Sequence, residues 1–221
     1  MVCSPVPVTI ILTALFDELA AAWQRHCGDI PGVEVVRGSI LDVDCDAVVS
    51  PANSFGFMDG GIDRVYSEHF GPQLQRDVQR LILQRHGGEL LVGQADIVAT
   101  GDGAIPYLVV APTMRVPTIL RDSVNPYLAA RAALRLVTSQ RLTLLDGGAV
   151  KVPPDGFRLA FPGLGTGVGR VGANVCARQV ARALRDVVLG EFTPPATWAE
   201  ASERHQLLCG SHTRRLQHRG A

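Results

Sequence analysis

The chain has 221 residues, 47% of them apolar and 19% charged, which is enough for one domain with a full-sized core. Its formal net charge is zero, so it has no field to gather nucleic acid or an anionic membrane, and its positive charge is almost all arginine, with Lys151 the sole lysine. The five cysteines (Cys3, Cys27, Cys45, Cys176, Cys209) are odd in number, far apart and free of any CxxC pair, which argues for a reduced, cytoplasmic protein over a disulfide scaffold or a zinc site.

The apolar run 6–15 follows no Lys or Arg and is too short to span a bilayer, so it is expected to be a buried strand over 8–15. Phe16, Leu19, Ala20, Trp23 and Cys27 then follow helical spacing, closed by Gly28 and the Pro31-Gly32 pair. Strands are predicted over 33–40 and 46–53, a short helix over 62–70 and a longer one over 73–86. Leu74, Val78, Leu81 and Ile82 form the stripe of that longer helix, and Gly87-Gly88 stops it. Segments 93–100 and 107–113 read as a strand pair joined by Gly101-Asp102-Gly103. Asn125-Pro126 opens another helix with Tyr127, Ala130, Leu134 and Val137 inward. Residues 146–156 read as a loop and 157–161 as a strand. The helix predicted over 173–189 turns Cys176, Val180, Leu184 and Val187 inward and Arg178, Arg182 and Arg185 to water. Strands alternating with helices predict a layered α/β fold. Thr193-Pro194-Pro195 is expected to end the compact part, giving a domain over 1–192 and an extension over 193–221. That extension is read as a short helix over 198–208 and a mobile end carrying Arg214, Arg215 and Arg219.

Two loops carry the chemistry. In the first, the apolar strand with Ala47, Val48 and Val49 runs into Ser50-Pro51-Ala52-Asn53. Asp59, Gly60, Gly61, Ile62 and Asp63 then open a helix. Amide, bare backbone and acid thus meet where a strand ends, a common ligand position in an α/β sheet. Taken alone, the two acids read as helix-start residues that oppose the dipole, and the dipole is expected to keep both ionised, as a group that orients an attacking water must be. Asn53 alone reads as a turn residue. The second loop, Gly163-Leu164-Gly165-Thr166-Gly167-Val168-Gly169, has glycine at every second position before a helix, which suits an anion held by free N–H groups. It matches neither the Walker A loop nor the GxGxxG fingerprint, and the alternative is a flexible connector. His26, His69 and His86 show no metal-ligand spacing, and Ser54 and Ser67 lack a nucleophile elbow.

In order and spacing, residues 33–189 resemble the macrodomain family, the fold that binds ADP-ribose. Gly38-Ser39-Ile40 resembles its Gly-Asp-Ile, Ser50-Pro51-Ala52-Asn53 its Asn-Ala-Ala-Asn, Gly60-Gly61-Ile62-Asp63 its Gly-Gly-Val-Asp, and Gly93-Gln94-Ala95 its Gly-Glu-Ala. Phe161-Pro162 through Gly167-Val168 resembles its diphosphate loop. The resemblance implies a three-layer α/β/α sandwich with a mixed central sheet, to which the N-terminal strand and helix are an addition. It implies that Ser39 and Ile40 border the adenine and that Asn53 bonds the distal ribose with Gly60, Gly61 and Ile62 beside it. By the same resemblance, residues 163–169 are expected to cradle the diphosphate, and Asp63 to match the acid that in hydrolytic members orients water towards the anomeric carbon. The ligand is then ADP-ribose or an ADP-ribosylated protein, and no metal or cofactor is needed.

Three departures stand out: Ser39 replaces the adenine acid, with Asp42 or Asp44 as substitutes; Ser50 replaces the first Asn; and no aromatic follows the diphosphate loop, leaving Phe55 or Phe57 to cover the ribose. The resemblance implies an ADP-ribosyl hydrolase. Asp59 adds an arginine preference, with one acid on water and the other binding the guanidinium leaving group in bidentate fashion. The alternatives are a non-catalytic ADP-ribose reader and a hydrolase of small derivatives such as O-acetyl-ADP-ribose.

Overall fold

The computed structural model describes residues 7–139 and 142–213. Its elements are β1 (Val8–Ala14), α1 (Asp17–Cys27), β2 (Val33–Arg37), β3 (Ala47–Ser50), α2 (Gly61–Phe70), α3 (Gln73–His86), β4 (Asp96–Ala99), β5 (Tyr107–Val110), α4 (Asn125–Val137), β6 (Phe157–Phe161), α5 (Ala173–Val187) and α6 (Trp198–Cys209). The strands form one sheet in the order β2-β1-β6-β3-β5-β4, parallel except for β4, which runs antiparallel to β5 at the edge.

Side chains alternate between two cores, as a pleated strand requires. Ile10, Leu12, Val49, Val109, Leu159 and Phe161 face one core with α1, α4 and α5. Ile11, Val48, Leu108, Val110 and Ala160 face the other with α2 and α3. Both faces being covered explains why β3 and β5 are continuous apolar runs. The result is a three-layer α/β/α sandwich on a mixed sheet.

The N-terminal strand is no appendage. β1 lies inside the sheet, paired in parallel with β2 on one side and β6 on the other, from Val8 against Phe157 to Ala14 against Arg37. Trp23 of α1 is fully buried, and its indole N–H donates to the Thr13 carbonyl at 3.2 Å.

Two strands are shorter than predicted. β2 stops at Arg37 because Ser39 caps a 3-10 turn over Ile40–Asp42, its hydroxyl accepting from the Leu41 N–H. β3 stops at Ser50 because Pro51 has no N–H for the ladder. On α5 the expected water-facing arginines are tied instead. Arg182 pairs with Asp186, Arg185 with Asp29, and Arg178 donates to the Leu207 and Gly210 carbonyls. With the Gln179 amide on the Leu208 carbonyl, Arg178 docks α6 onto α5. Arg214, Arg215 and Arg219 lie outside the described residues.

Candidate functional site

The parallel strands end together, and their C-terminal ends open a cleft of about 420 Å3, within the range of small-ligand sites. β1 contributes Thr13 and Ala14 and the following Leu15 and Phe16. Gly38, Ser39 and Ile40 follow β2, and Ala52 and Asn53 follow β3. Met114 and Pro117 come from the loop after β5, and the second glycine loop follows β6. Asp59, Gly60, Gly61, Ile62 and Asp63 at the start of α2 close the far wall. Thus the two glycine loops, 100 residues apart in sequence, face one space. Of the residues that the two loops and Ser39-Ile40 were expected to give the site, Leu164 alone is absent from the lining: its side chain is fully buried in the core.

In loop 163–169 the carbonyls of the four glycines are used, and most of the N–H groups are not. The Gly163 carbonyl accepts from the Thr166 hydroxyl, Gly165 from the Val171 N–H, Gly167 from the Arg170 N–H, and Gly169 from the Leu120 N–H at 2.7 Å. The Leu164 N–H donates to the Cys176 sulfur, and no other N–H from 163 to 169 donates to a protein acceptor among the described residues. Gly165 and Gly169 are buried, where unpaired main-chain donors are rare. Free main-chain donors beside a cleft suit an anion. The start of α2 adds to them, since Gly60 caps the helix with no side-chain bond and leaves its first N–H groups free.

Neither acid caps that helix. Asp63 turns beneath it, 7% exposed, and its Oδ1 accepts the Ser50 hydroxyl at 2.5 Å. The Tyr66 hydroxyl, on the same helix, donates to the Val49 carbonyl at 3.2 Å, so the end of β3 and the first turns of α2 are bonded twice. Burial pushes the Asp63 carboxyl up to about 7, and the Ser50 bond offsets only part of this. The expectation that the helix dipole keeps Asp63 ionised is therefore corrected: desolvation outweighs the dipole. Asp59 is exposed, lines the same wall and makes no bond or ion pair among the described residues.

Asn53 is both turn residue and cleft residue. Its Oδ1 accepts from the N–H groups of Phe55 and Phe57, and its Nδ2 donates to the Phe57 carbonyl at 2.8 Å. Both carbonyl lone pairs are spent, leaving one amide N–H for a ligand. Phe57 lines the cleft and is 52% exposed, whereas Phe55 lies under the Arg115 guanidinium, outside the lining. Neither Asp42 nor Asp44 lines the cleft; Asp44 is almost wholly in water beside Arg158. They do not substitute for the acid missing at Ser39.

Sequence reasoning missed the wall made by β1. Phe16 is 76% exposed and Leu15 63%, both at the mouth, and the Gly38 N–H bonds the Ala14 carbonyl, which places this wall beside Ser39. The usable signal was two large apolar residues just past a buried strand, where a parallel strand delivers its side chains to a crevice. Among the described residues no group of three or more His, Cys, Asp or Glu is placed to hold a metal, and no helix is long and apolar enough to cross a membrane.

The Macro domain family profile matches residues 49–180. An uncharacterized protein of Aquifex aeolicus is 31% identical over 153 residues, covering 69% of this chain and 81% of its own. A macro domain-containing protein of Caldanaerobacter subterraneus subsp. tengcongensis is 26% identical over 174 residues, 78% of this chain and 90% of its own. Among solved structures, the macrodomain of Thermus aquaticus DarG superposes with a TM-score of 0.52 at 16% identity, covering 81% of this chain and 92% of that one. A variant Oceanobacillus iheyensis macrodomain with ADPR gives 0.50 at 18% identity, covering 66% and 74%. A cleft at the ends of parallel strands, a glycine loop with free N–H groups and the matching profile agree: the chain belongs to the macrodomain family, whose fold binds ADP-ribose and in some members hydrolyses its derivatives.

Proposed function

We propose that the protein removes ADP-ribose from modified protein side chains, with an arginine linkage favoured over an Asp or Glu ester. The observation that carries this reading is Asp63, a carboxyl nine-tenths buried in the wall of a cleft that the second glycine loop also lines. The ADPR in the Oceanobacillus iheyensis neighbour supports the ligand. With the diphosphate on loop 163–169, the distal ribose lies against Asn53 and the start of α2. Ionised Asp63 takes a proton from a water whose oxygen bonds to the anomeric carbon. The carbon–nitrogen bond to the modified arginine breaks, its electron pair stays on nitrogen, and the guanidine takes up a proton. The fixed donors around the diphosphate and the carboxylate both favour the oxocarbenium-like charge. Asp59, exposed and without a partner among the described residues, binds the departing guanidinium in this reading.

The test is release of free ADP-ribose from two matched peptides, one arginine-linked and one glutamate-linked. Release from the arginine peptide, lost in Asp63→Ala and reduced in Asp59→Asn, is expected. Release from the glutamate peptide alone moves the linkage to the ester. The Asp63–Ser50 bond, which occupies one carboxyl oxygen, favours a second reading as a non-catalytic reader. That reading wins if neither peptide is cleaved while ADP-ribose still binds in calorimetry.

Phe16 supplies the face over which the base is expected to stack, beside Ser39 and Ile40. Phe16→Ala is expected to weaken ADP-ribose binding about tenfold or more, the scale of one base–aromatic stack. Because the ring is 76% exposed, the melting temperature should barely move. Unchanged affinity would place the base elsewhere.

A further inference from the structure

A second groove adjoins the cleft. The loop after β5 begins against Asn53: Met114 makes a parallel bridge with it, and the Ser54 N–H donates to the Met114 carbonyl at 3.1 Å. From there the loop runs along the glycine loop and is tied to it by the Leu120–Gly169 bond. Between these two strips lies a groove of about 630 Å3, with Pro117, Thr118 and Ile119 on one bank and Gly167, Val168 and Arg170 on the other. Pro117, Gly167 and Val168 line both cavities, so the groove continues the cleft past the glycine loop, beside the loop whose Met114 bridges Asn53.

Two features of the groove are unspent. Ile119 and Val168 are 54% and 53% exposed. Arg170 is the sole non-glycine with a left-handed backbone (φ 52°) among the described residues, held so by its N–H on the Gly167 carbonyl. Its guanidinium makes no hydrogen bond, ion pair or ring contact among them. Arg115, in the same loop as Ile119, is by contrast neutralised by Glu89. A strained backbone that presents an unpaired cation at a cleft is a common mark of a binding position.

Resting on the reading that a modified protein enters by its ADP-ribose, we propose that this groove holds the polypeptide flanking the modified residue and selects segments with acidic side chains. At the distal ribose the substrate's own chain must leave the cleft, and the groove opens there. Its apolar bank suits peptide side chains better than a sugar–phosphate chain, which has little apolar surface to bury. Its free guanidinium fits a carboxylate.

The test measures affinity, not turnover, using full-length Asp63→Asn protein so that conjugates stay intact. Two arginine-ADP-ribosylated peptides are compared, one flanked by Glu and one by Lys, together with free ADP-ribose. The acidic conjugate is expected to bind about fivefold more tightly, the scale of an exposed ion pair. Arg170→Gln should erase the preference and leave free ADP-ribose affinity unchanged. Ile119→Ser should weaken both conjugates alike and also spare free ADP-ribose. Equal affinity for the two conjugates, or a preference that survives Arg170→Gln, overturns the proposal. So does tighter binding of an ADP-ribose oligomer that is lost in Arg170→Gln, which assigns the groove to a sugar–phosphate chain. If free ADP-ribose itself fails to bind, the ligand reading falls first and the groove with it.

Discussion

Asp63→Asn is expected to make the protein more stable than the parent at pH 8 and to lose that advantage at pH 4. The reason is desolvation. Asp63 is 7% exposed, and its carboxyl is pushed from the usual 3.8 up to about 7. A raised folded value means that the native state holds the proton more tightly than the unfolded chain does. The favourable contribution of the protonated acid is complete below about pH 4, declines as pH rises towards 7, and is gone above that. At 1.36 kcal/mol per unit, about three units correspond to about 4 kcal/mol between pH 4 and pH 8, an upper figure for a group in partial contact with a cleft. Asparagine keeps the volume and an oxygen for the Ser50 hydroxyl but cannot ionise. Urea denaturation of both proteins at the two pH values measures the gap. A gap that stays constant with pH would show that Asp63 is not desolvated in the native state.

The same burial sets the pH dependence of the proposed reaction. If ionised Asp63 takes the proton from water, kcat rises with pH and levels off above about 7, instead of being flat from pH 5 as for an ordinary carboxylate. Ser50→Ala removes the one hydrogen bond that favours the charged form, so it should move that limb to higher pH. The acid thus lowers stability in the pH range where it is useful, a common feature of residues kept for chemistry rather than folding.

Most of the architecture was legible because it rests on periodicity. The stripe Leu74, Val78, Leu81, Ile82 gave α3 its bounds, and the apolar run 157–161 gave β6. Helix–strand alternation gave the layers. What was not legible depended on pairing across the chain. Nothing local to residues 8–14 says that this strand inserts between β2 and β6, yet that insertion puts Leu15 and Phe16 on the cleft. Order and spacing named residues that line the cleft, but not their electrostatics. From sequence, Asp63 in a first helical turn reads as solvated and dipole-stabilised, and only the folded chain shows it turned under the helix onto Ser50. Likewise Arg178 sits on a polar stripe by spacing and is covered because α6 folds back over it.

The glycine loop separates fold from ligand most sharply, because its glycines are there for different reasons. A Cβ on Gly169 lies 2.6 Å from the Gly165 carbonyl oxygen and 3.2 Å from its Cα; both are main chain and cannot rotate away. That carbonyl also accepts the Val171 N–H, so the loop cannot open without losing its own bond. Gly169→Ala is expected to cost about 1–3 kcal/mol of stability, as overpacking does, and to weaken binding as a consequence. Gly167 differs: nothing lies within 4 Å of a Cβ there, and its backbone is not left-handed. Gly167→Glu should therefore fold with a nearly unchanged melting temperature while bringing a negative charge to the site of the diphosphate. Like charges a few ångströms apart at a partly wet surface cost a few kcal/mol, so ADP-ribose affinity should fall on the order of 100-fold. Calorimetric titration beside thermal denaturation reads both effects in one series. A stable Gly167→Glu protein that still binds ADP-ribose normally would remove the diphosphate from this loop, because the free N–H groups at 165–169 would then face a charge that the ligand does not meet.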